Sequence, residues 1–265
     1  IVDLEKLKNF KSNIKTARCQ SCSNNCLLTI NKFEKGSLYI SGNRCETGAR
    51  TEKSNKDLPN LYEYKYKRVF DYEPLSEEKA KYGTVGLPRA LNMYENYPFW
   101  HTFFTELGFR VMLSDTSSNE IYEKGIETIP SESVCYPGKL VHGHIINLIE
   151  KNVKFIFYPC LTHEEKEDKD SDNHFNCPIV TSYPEVIKNN MDIIRDEEVL
   201  YLKPFLPYTN PKRMKKRLTE ELKVFSIKEK EISVALDKAY KEQMKFKEDI
   251  KRKGEEALNY IEEHR

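Results

Sequence analysis

From Lys81 onward, short apolar runs alternate with stretches whose apolar residues recur every three or four positions. Thr84-Val85-Gly86-Leu87 reads as a strand that Pro88 ends. Phe99, Trp100, Phe103, Phe104 and Leu107 set a helix from Tyr97, which Gly108 stops. Phe109 to Leu113 is the next strand, Leu140 to Ile149 a helix stopped by Asn152, and Val153 to Tyr158 a strand. Ile179-Val180-Thr181 reads as a further strand and Glu185 to Ile194 as a helix. Strands alternating with helices predict an α/β fold, a Rossmann-like parallel sheet covered on both faces over residues 81–205. Ligands of such sheets bind beyond the carboxyl ends of the strands.

The flanks follow other periods. Leu4, Leu7, Phe10, Ile14 and Ala17 predict a short amphipathic helix over residues 3–17. Residues 27–30 and 37–40 read as two strands of a hairpin turning at Glu34-Lys35-Gly36, inside a cysteine-rich module that ends near residue 48. Residues 49–80, polar and rich in Tyr, read as a linker that packs on the core through Leu61, Tyr62, Tyr64, Tyr66, Val69, Phe70 and Tyr72. Residues 206–265 read as helical. Ser226 and Glu229 resemble a capping box. Ile232, Leu236, Ala239, Gln243, Phe246, Ile250, Leu258 and Ile261 then form one stripe of a long amphipathic helix, with a break expected near Gly254.

Composition narrows the function. Of 265 residues, 43 are basic and 42 acidic, a net charge of +1 that gives no field for a nucleic-acid binder. No run approaches the ~20 apolar residues of a membrane span. The chain starts at Ile1 without a signal segment, so a piece of a longer, cytoplasmic polypeptide is expected. Residues 163–174, with six acids and two Lys, predict a solvated, mobile loop.

The seven cysteines carry the candidate chemistry. An odd number argues against a closed disulfide framework, and grouped thiols in a reducing compartment point to metal. Cys19, Cys22, Cys26 and Cys45 have the spacing of a four-thiolate site. Short loops aim three sulfurs at one point and the hairpin returns the fourth. Zinc and an iron–sulfur centre both suit this set. Cys135 precedes a helix start, where unpaired amides favour an anion or an anionic cluster. Cys160 closes a strand and Cys177 precedes the predicted strand at Ile179, the acidic loop having to carry it to the sheet edge. From spacing alone this second group reads as small buried hydrophobes in preference to a metal site. His142, His144 and Lys139 follow Cys135 on its helix, as packed or hydrogen-bonding groups and a solvated or anion-holding cation.

Taken together, several motifs resemble the acyl-CoA dehydratase activase-related family, named for the 2-hydroxyglutaryl-CoA dehydratase activators. They are Cys19-Gln-Ser-Cys22-Ser-Asn-Asn-Cys26-Leu-Leu-Thr-Ile30, Gly42-Asn43-Arg44-Cys45-Glu46, Gly86-Leu87-Pro88-Arg89, Cys135-Tyr136-Pro137-x-Lys139-x-x-His142-Gly143-His144 and Tyr158-Pro159-Cys160. The resemblance runs from about residue 17 to 262 and is most specific over Tyr136 to Cys160. It implies a middle segment of a longer protein, whose partners are ATPase domains ahead of it and a second dehydratase-like lobe after it. It further implies a [4Fe–4S] cluster on Cys135, Cys160 and Cys177 in a Rossmann-like lobe. The expected function is an iron–sulfur electron-transfer module of an ATP-driven system acting on an acyl-CoA-type substrate or partner enzyme. The alternatives are a zinc-stabilised scaffold and a small-molecule-binding α/β domain without redox chemistry.

Overall fold

The computed structural model describes residues 11–22, 24–33, 37–45, 59–196 and 198–264, in two compact units. The first unit takes in residues 1–58 with 118–120, and the second the rest.

In the first unit β1 (Ser12–Arg18), β2 (Leu27–Phe33) and β3 (Leu38–Ser41) form an antiparallel sheet in that order. The predicted hairpin is β2–β3, with Thr29 opposite Ser41 and Lys32 opposite Leu38. Its expected turn at 34–36 lies outside the described residues. The helix expected over residues 3–17 is corrected where it is described. Residues 12–18 are a strand, because Ser12 to Arg18 pairs in full register with Phe33 to Leu27, which satisfies its backbone groups. The remainder of that expected helix, residues 3–10, lies outside the described residues. All seven residues of β1 are exposed, and Leu28 alone is buried among the described residues of this unit.

The second unit is the α/β lobe. Its main sheet holds β4 (Thr84–Leu87), β5 (Arg110–Leu113), β6 (Phe155–Phe157) and β8 (Leu200–Leu202) in the order β5-β4-β6-β8, all parallel. Beyond a bend at Pro159 and Pro204 the last two strands continue as β7 (Cys160–Leu161) and β9 (Phe205–Leu206), again parallel. The helices are α1 (Leu61–Phe70), α2 (Met93–Leu107), α3 (Asn119–Gly125), α4 (Tyr136–Glu150), α5 (Pro178–Asn190), α6 (Asp192–Arg195), α7 (Pro211–Glu221) and α8 (Glu229–Glu263).

Alternation of side chains along β6 explains the layering. Phe155 and Phe157 face α2, where the Trp100 and Phe104 rings lie 4.8 and 4.9 Å from that of Phe157. On the other face Leu148 of α4 packs against Gly86 of β4. The layers are therefore α4 and α5, the sheet, α2, and α8 outside α2. Ring contact between Phe99 and Tyr240 and a 2.8 Å bond from the Gln243 side-chain amide to the Glu95 carbonyl join α8 to α2. Such aromatic pairs add to what their buried area contributes.

Several expectations change here. Ile179-Val180-Thr181 lies inside α5 instead of forming a strand. Pro178 sits at the first helical position, and Tyr183 and Ile187, four apart, bury one helical face. The missing strand of the sheet is Leu200–Leu202. The stretch read as a linker contains α1, whose Arg68 bridges Glu242 and Asp249 of α8 at 2.8 and 2.9 Å. Residues 49–58 of that stretch lie outside the described residues. The Ser226 capping box does not form. Ser226 is left-handed (φ 56°), and α8 starts after Lys228, whose backbone N–H donates to the Glu231 carboxylate at 3.1 Å. Gly254 does not interrupt α8, and Leu258 and Ile261 of the expected stripe are exposed. The acidic loop is tied down rather than loose. Lys247 of α8 pairs with Glu165 and Glu167, and Glu164 accepts from Asn96 and Asn176.

Candidate functional site

The first cysteine group sits at strand ends, the second at two helix starts and one strand start. In the first unit, Cys19 follows β1, Cys26 precedes β2 and Cys45 lies four residues past β3. Antiparallel pairing brings these three ends to the same end of the sheet. The intervening turn closes with Cys19 N donating to Cys26 O (2.8 Å) and Asn25 N to Cys22 O (3.3 Å), Asn25 being left-handed (φ 46°). Asn43 donates to the Cys45 carbonyl at 2.9 Å. Four thiol-bearing residues thus share one end of a small sheet that has little core.

In the lobe, parallel topology places the start of a helix that follows a strand at the carboxyl edge. Cys135 is the N-cap of α4 and Cys177 the N-cap of α5, each followed within two positions by Pro. Cys160 opens β7, just beyond β6. The starts of α4 and α5 touch. A Cβ on Gly138 would lie 3.0 Å from the Ile179 side chain, so the bare backbone there lets the helices approach. Cys177 reaches the edge because Asn176 N donates to Thr162 O (2.9 Å) and the Asn176 side chain to Leu161 O (3.1 Å). The Cys177 sulfur itself accepts from Val180 N at 3.5 Å.

The three thiols differ in surroundings. Cys135 and Cys177 are exposed, whereas Cys160 is fully buried. Burial pushes the Cys160 thiol up to about 12 and the Glu185 charge adds to this. Lys203 and a hydrogen bond from the Glu185 backbone pull the other way. Cys160 therefore faces the middle of α5 rather than the helix starts. Thiols suit zinc and iron–sulfur groups by chemistry, and topology puts each set at one edge. Among the described residues, though, no three or more His, Cys, Asp or Glu side chains are grouped closely enough to hold a metal ion.

Behind this edge runs a network that the sequence did not reveal. His142 and His144 are fully buried in α4. His142 bonds Thr128 (2.7 Å) through Nδ1 and the Tyr183 hydroxyl (3.0 Å) through Nε2. His144 bonds Ser114 (2.9 Å) and Ser117 (3.0 Å). Burial lowers both imidazoles to about 4, so they are neutral at pH 7. Burial also pushes the Tyr183 phenol up to about 12, and the nearby Cys135 charge acts in the same direction. The order of the main sheet reverses between β4 and β6. Beyond β4, Arg89 donates to the Ser114 carbonyl (3.1 Å) and the Tyr66 hydroxyl (2.7 Å), with its guanidinium 4.6 Å from the Phe70 ring centre. The Gly86-Leu87-Pro88-Arg89 motif marked this arginine. Nothing local marked Ser114, Ser117, Thr128 or Tyr183, which α4 contacts only through the tertiary fold. Lys139, half-buried in the first turn of α4, donates its backbone N–H to the Cys135 carbonyl.

No helix among the described residues is long and apolar enough to cross a membrane. No characterised protein and no solved structure matches the chain. A family match covers residues 84–265, from the first strand of the α/β sheet to the last residue of the chain. It thus takes in Cys135, Cys160, Cys177 and the buried histidines. By that match the chain belongs to the family described as the CoA enzyme activase uncharacterised domain.

Proposed function

We propose that this chain is the cluster-bearing, electron-passing part of an ATP-driven activase-type system working on an acyl-CoA-type substrate or partner enzyme. The observation that supports this reading is that Cys135 and Cys177 cap the adjoining starts of α4 and α5 while Cys160 opens β7 just beyond β6. These residues would hold a [4Fe–4S] cluster, which when bound supplies a one-electron carrier. The chain's own groups set its surroundings. Amides at the starts of α4 and α5 favour the anionic cluster, and neutral His142 holds Tyr183 beside Cys135. Loading requires Cys160 to lose its proton and to turn from α5, so cluster uptake is linked to proton release. ATPase domains and a second dehydratase-like lobe of the same polypeptide are the proposed partners.

The test is purification without oxygen, followed by iron and sulfide analysis and EPR after reduction. The expected result is a reducible cluster that is lost in Cys135→Ala, Cys160→Ala and Cys177→Ala and kept in Cys19→Ala. Wild-type protein that is folded yet holds no iron above background overturns the reading.

A second metal reading concerns the first unit. Cys19, Cys22, Cys26 and Cys45 share one sheet end, and a single buried residue among those described is too little core to hold the sheet. Zinc there would supply folding energy directly, with an iron–sulfur centre as the alternative. A scaffold role follows if this is the one metal the chain binds.

A further inference from the structure

Past the small sheet β7–β9 lies an open cavity of about 700 Å³, at the carboxyl ends of both strands. The ladder that carries it is continuous with the main sheet. Tyr158 N donates to Leu202 O and Cys160 N to Pro204 O, both at 2.9 Å. The cavity therefore occupies the position where open parallel sheets bind ligands, and its size suits a nucleotide-sized molecule. Cys135 and Cys177 at the helix starts do not line it, but Cys160 does, so the cavity adjoins the second cysteine group.

Its walls divide by chemistry. One wall is the basic face of α7, where Arg213 and Lys216, three residues apart and both exposed, line the space. Neither forms an ion pair with any described residue, although their neighbours on α7 do. Lys215 pairs with Glu229, and Arg217 with Glu220 and Glu221. Glu220 also lines the cavity, but Arg217 holds it at 3.0 Å. The lining also has an apolar part, Phe205, 48% exposed, with Leu206 and Pro207. Thr162 and His163 line it too and bond each other at 2.8 Å. Two cations without ion pairs among the described residues, in one cavity with an exposed aromatic ring, fit a ligand with an anionic end and an apolar or ring-bearing arm. Arginine prefers phosphate because its donors match two oxygens at once.

We infer that this cavity binds an organic phosphate, its phosphate groups on Arg213 and Lys216 and its organic arm against Phe205. The chemistry is shared by coenzyme A compounds and by nucleoside phosphates. Cys160 borders both sites, but the contacts assigned here to Arg213, Lys216 and Phe205 need no cluster, so binding to metal-free protein tests this inference apart from the electron-transfer reading.

The test is titration calorimetry of the full chain with coenzyme A, ADP and inorganic pyrophosphate at fixed salt. Saturable binding of coenzyme A or ADP is expected, weakened at least about tenfold in Arg213→Glu/Lys216→Glu and several-fold in Phe205→Ala. All three side chains are exposed, so the variants should keep the wild-type circular dichroism and Tm. A preference for coenzyme A identifies the thioester carrier as the source, and equal binding of ADP identifies its nucleotide half. Pyrophosphate binding as tightly as both, with Phe205→Ala silent, overturns the inference. So does binding that the double charge reversal leaves unchanged, or no saturable binding of any probe at millimolar concentration.

Discussion

The two units solve the same problem with opposite means. The α/β lobe stacks Trp100, Phe103, Phe104, Phe109, Phe155 and Phe157 between a parallel sheet and its helices, all six almost fully shielded from water. The cysteine module pairs three short strands and buries Leu28 alone among its described residues. Burial contributes about 25 cal/mol per Å² of apolar surface, so the lobe can be held by its core. The module has no such core among its described residues, and the proposed metal on its four thiols is the means we assign to it. On that proposal cysteine serves a ligand in the lobe and the fold in the module.

Removing metal is the sharpest way to break this contrast. With zinc on Cys19, Cys22, Cys26 and Cys45, a chelator or Cys19→Ser/Cys26→Ser should unfold the module, since structural zinc contributes roughly 10 kcal/mol or more in units of this size. Hydrogen exchange should then show amide protection lost over residues 12–45 and kept over 84–157. Protection retained throughout in metal-free protein would mean that the module folds on pairing alone.

Core truncation should give the reverse pattern. Phe104→Ala is expected to cost the lobe about 3–5 kcal/mol, read as a lower Tm, with metal binding by the module unchanged. Equal loss in both units would merge them into one cooperative block.

Acid should separate the units again, because the module's residues include no histidine and the lobe buries His101, His142 and His144. Burial lowers each of these from 6.5 to about 4 in the folded chain. The fold favours the neutral form, so the stabilisation is complete above pH 6.5 and is lost as pH falls toward 4. Each imidazole contributes on the order of 1–3 kcal/mol over that window. His142→Gln and His144→Gln should flatten the fall in denaturant midpoint between pH 6.5 and 4. A fall of the same steepness in the double variant would place the acid sensitivity elsewhere.

The smallest effect concerns the acidic loop. Lys247→Ala should change global stability by less than about 1 kcal/mol, since its ion pairs with Glu165 and Glu167 are partly exposed. Exchange over residues 163–174 should nevertheless quicken. No change there would show that Glu164, with Asn96 and Asn176, holds the loop alone.

Local pattern was informative where it agreed with the environment. The apolar runs at 84–87, 110–113 and 155–157 and the helical spacing of α2, α4 and α8 all reappear, because each element buries the face its sequence marks. It misled where local preference and context disagree. Ile179-Val180-Thr181 has β-branched side chains, but Cys177 at the cap, Pro178 at the first position and the Tyr183–Ile187 spacing make it helical. Residues 12–18 show apolar residues at helical intervals, yet a partner strand claims their backbone groups. Leu200–Leu202 is too short to announce itself and becomes a strand by pairing with β6.

The sequence by itself determined which residue types could do chemistry and the α/β character of the lobe, since cysteine spacing and side-chain period are local properties. Only the tertiary structure decided that Cys177 stands at a helix start beside that of Cys135, that Cys160 lies buried against α5, and that Arg213 and Lys216 line an open cavity without ion-pair partners among the described residues. Those relations depend on parallel pairing between segments dozens of residues apart, and contacts of that range leave no periodicity in the chain.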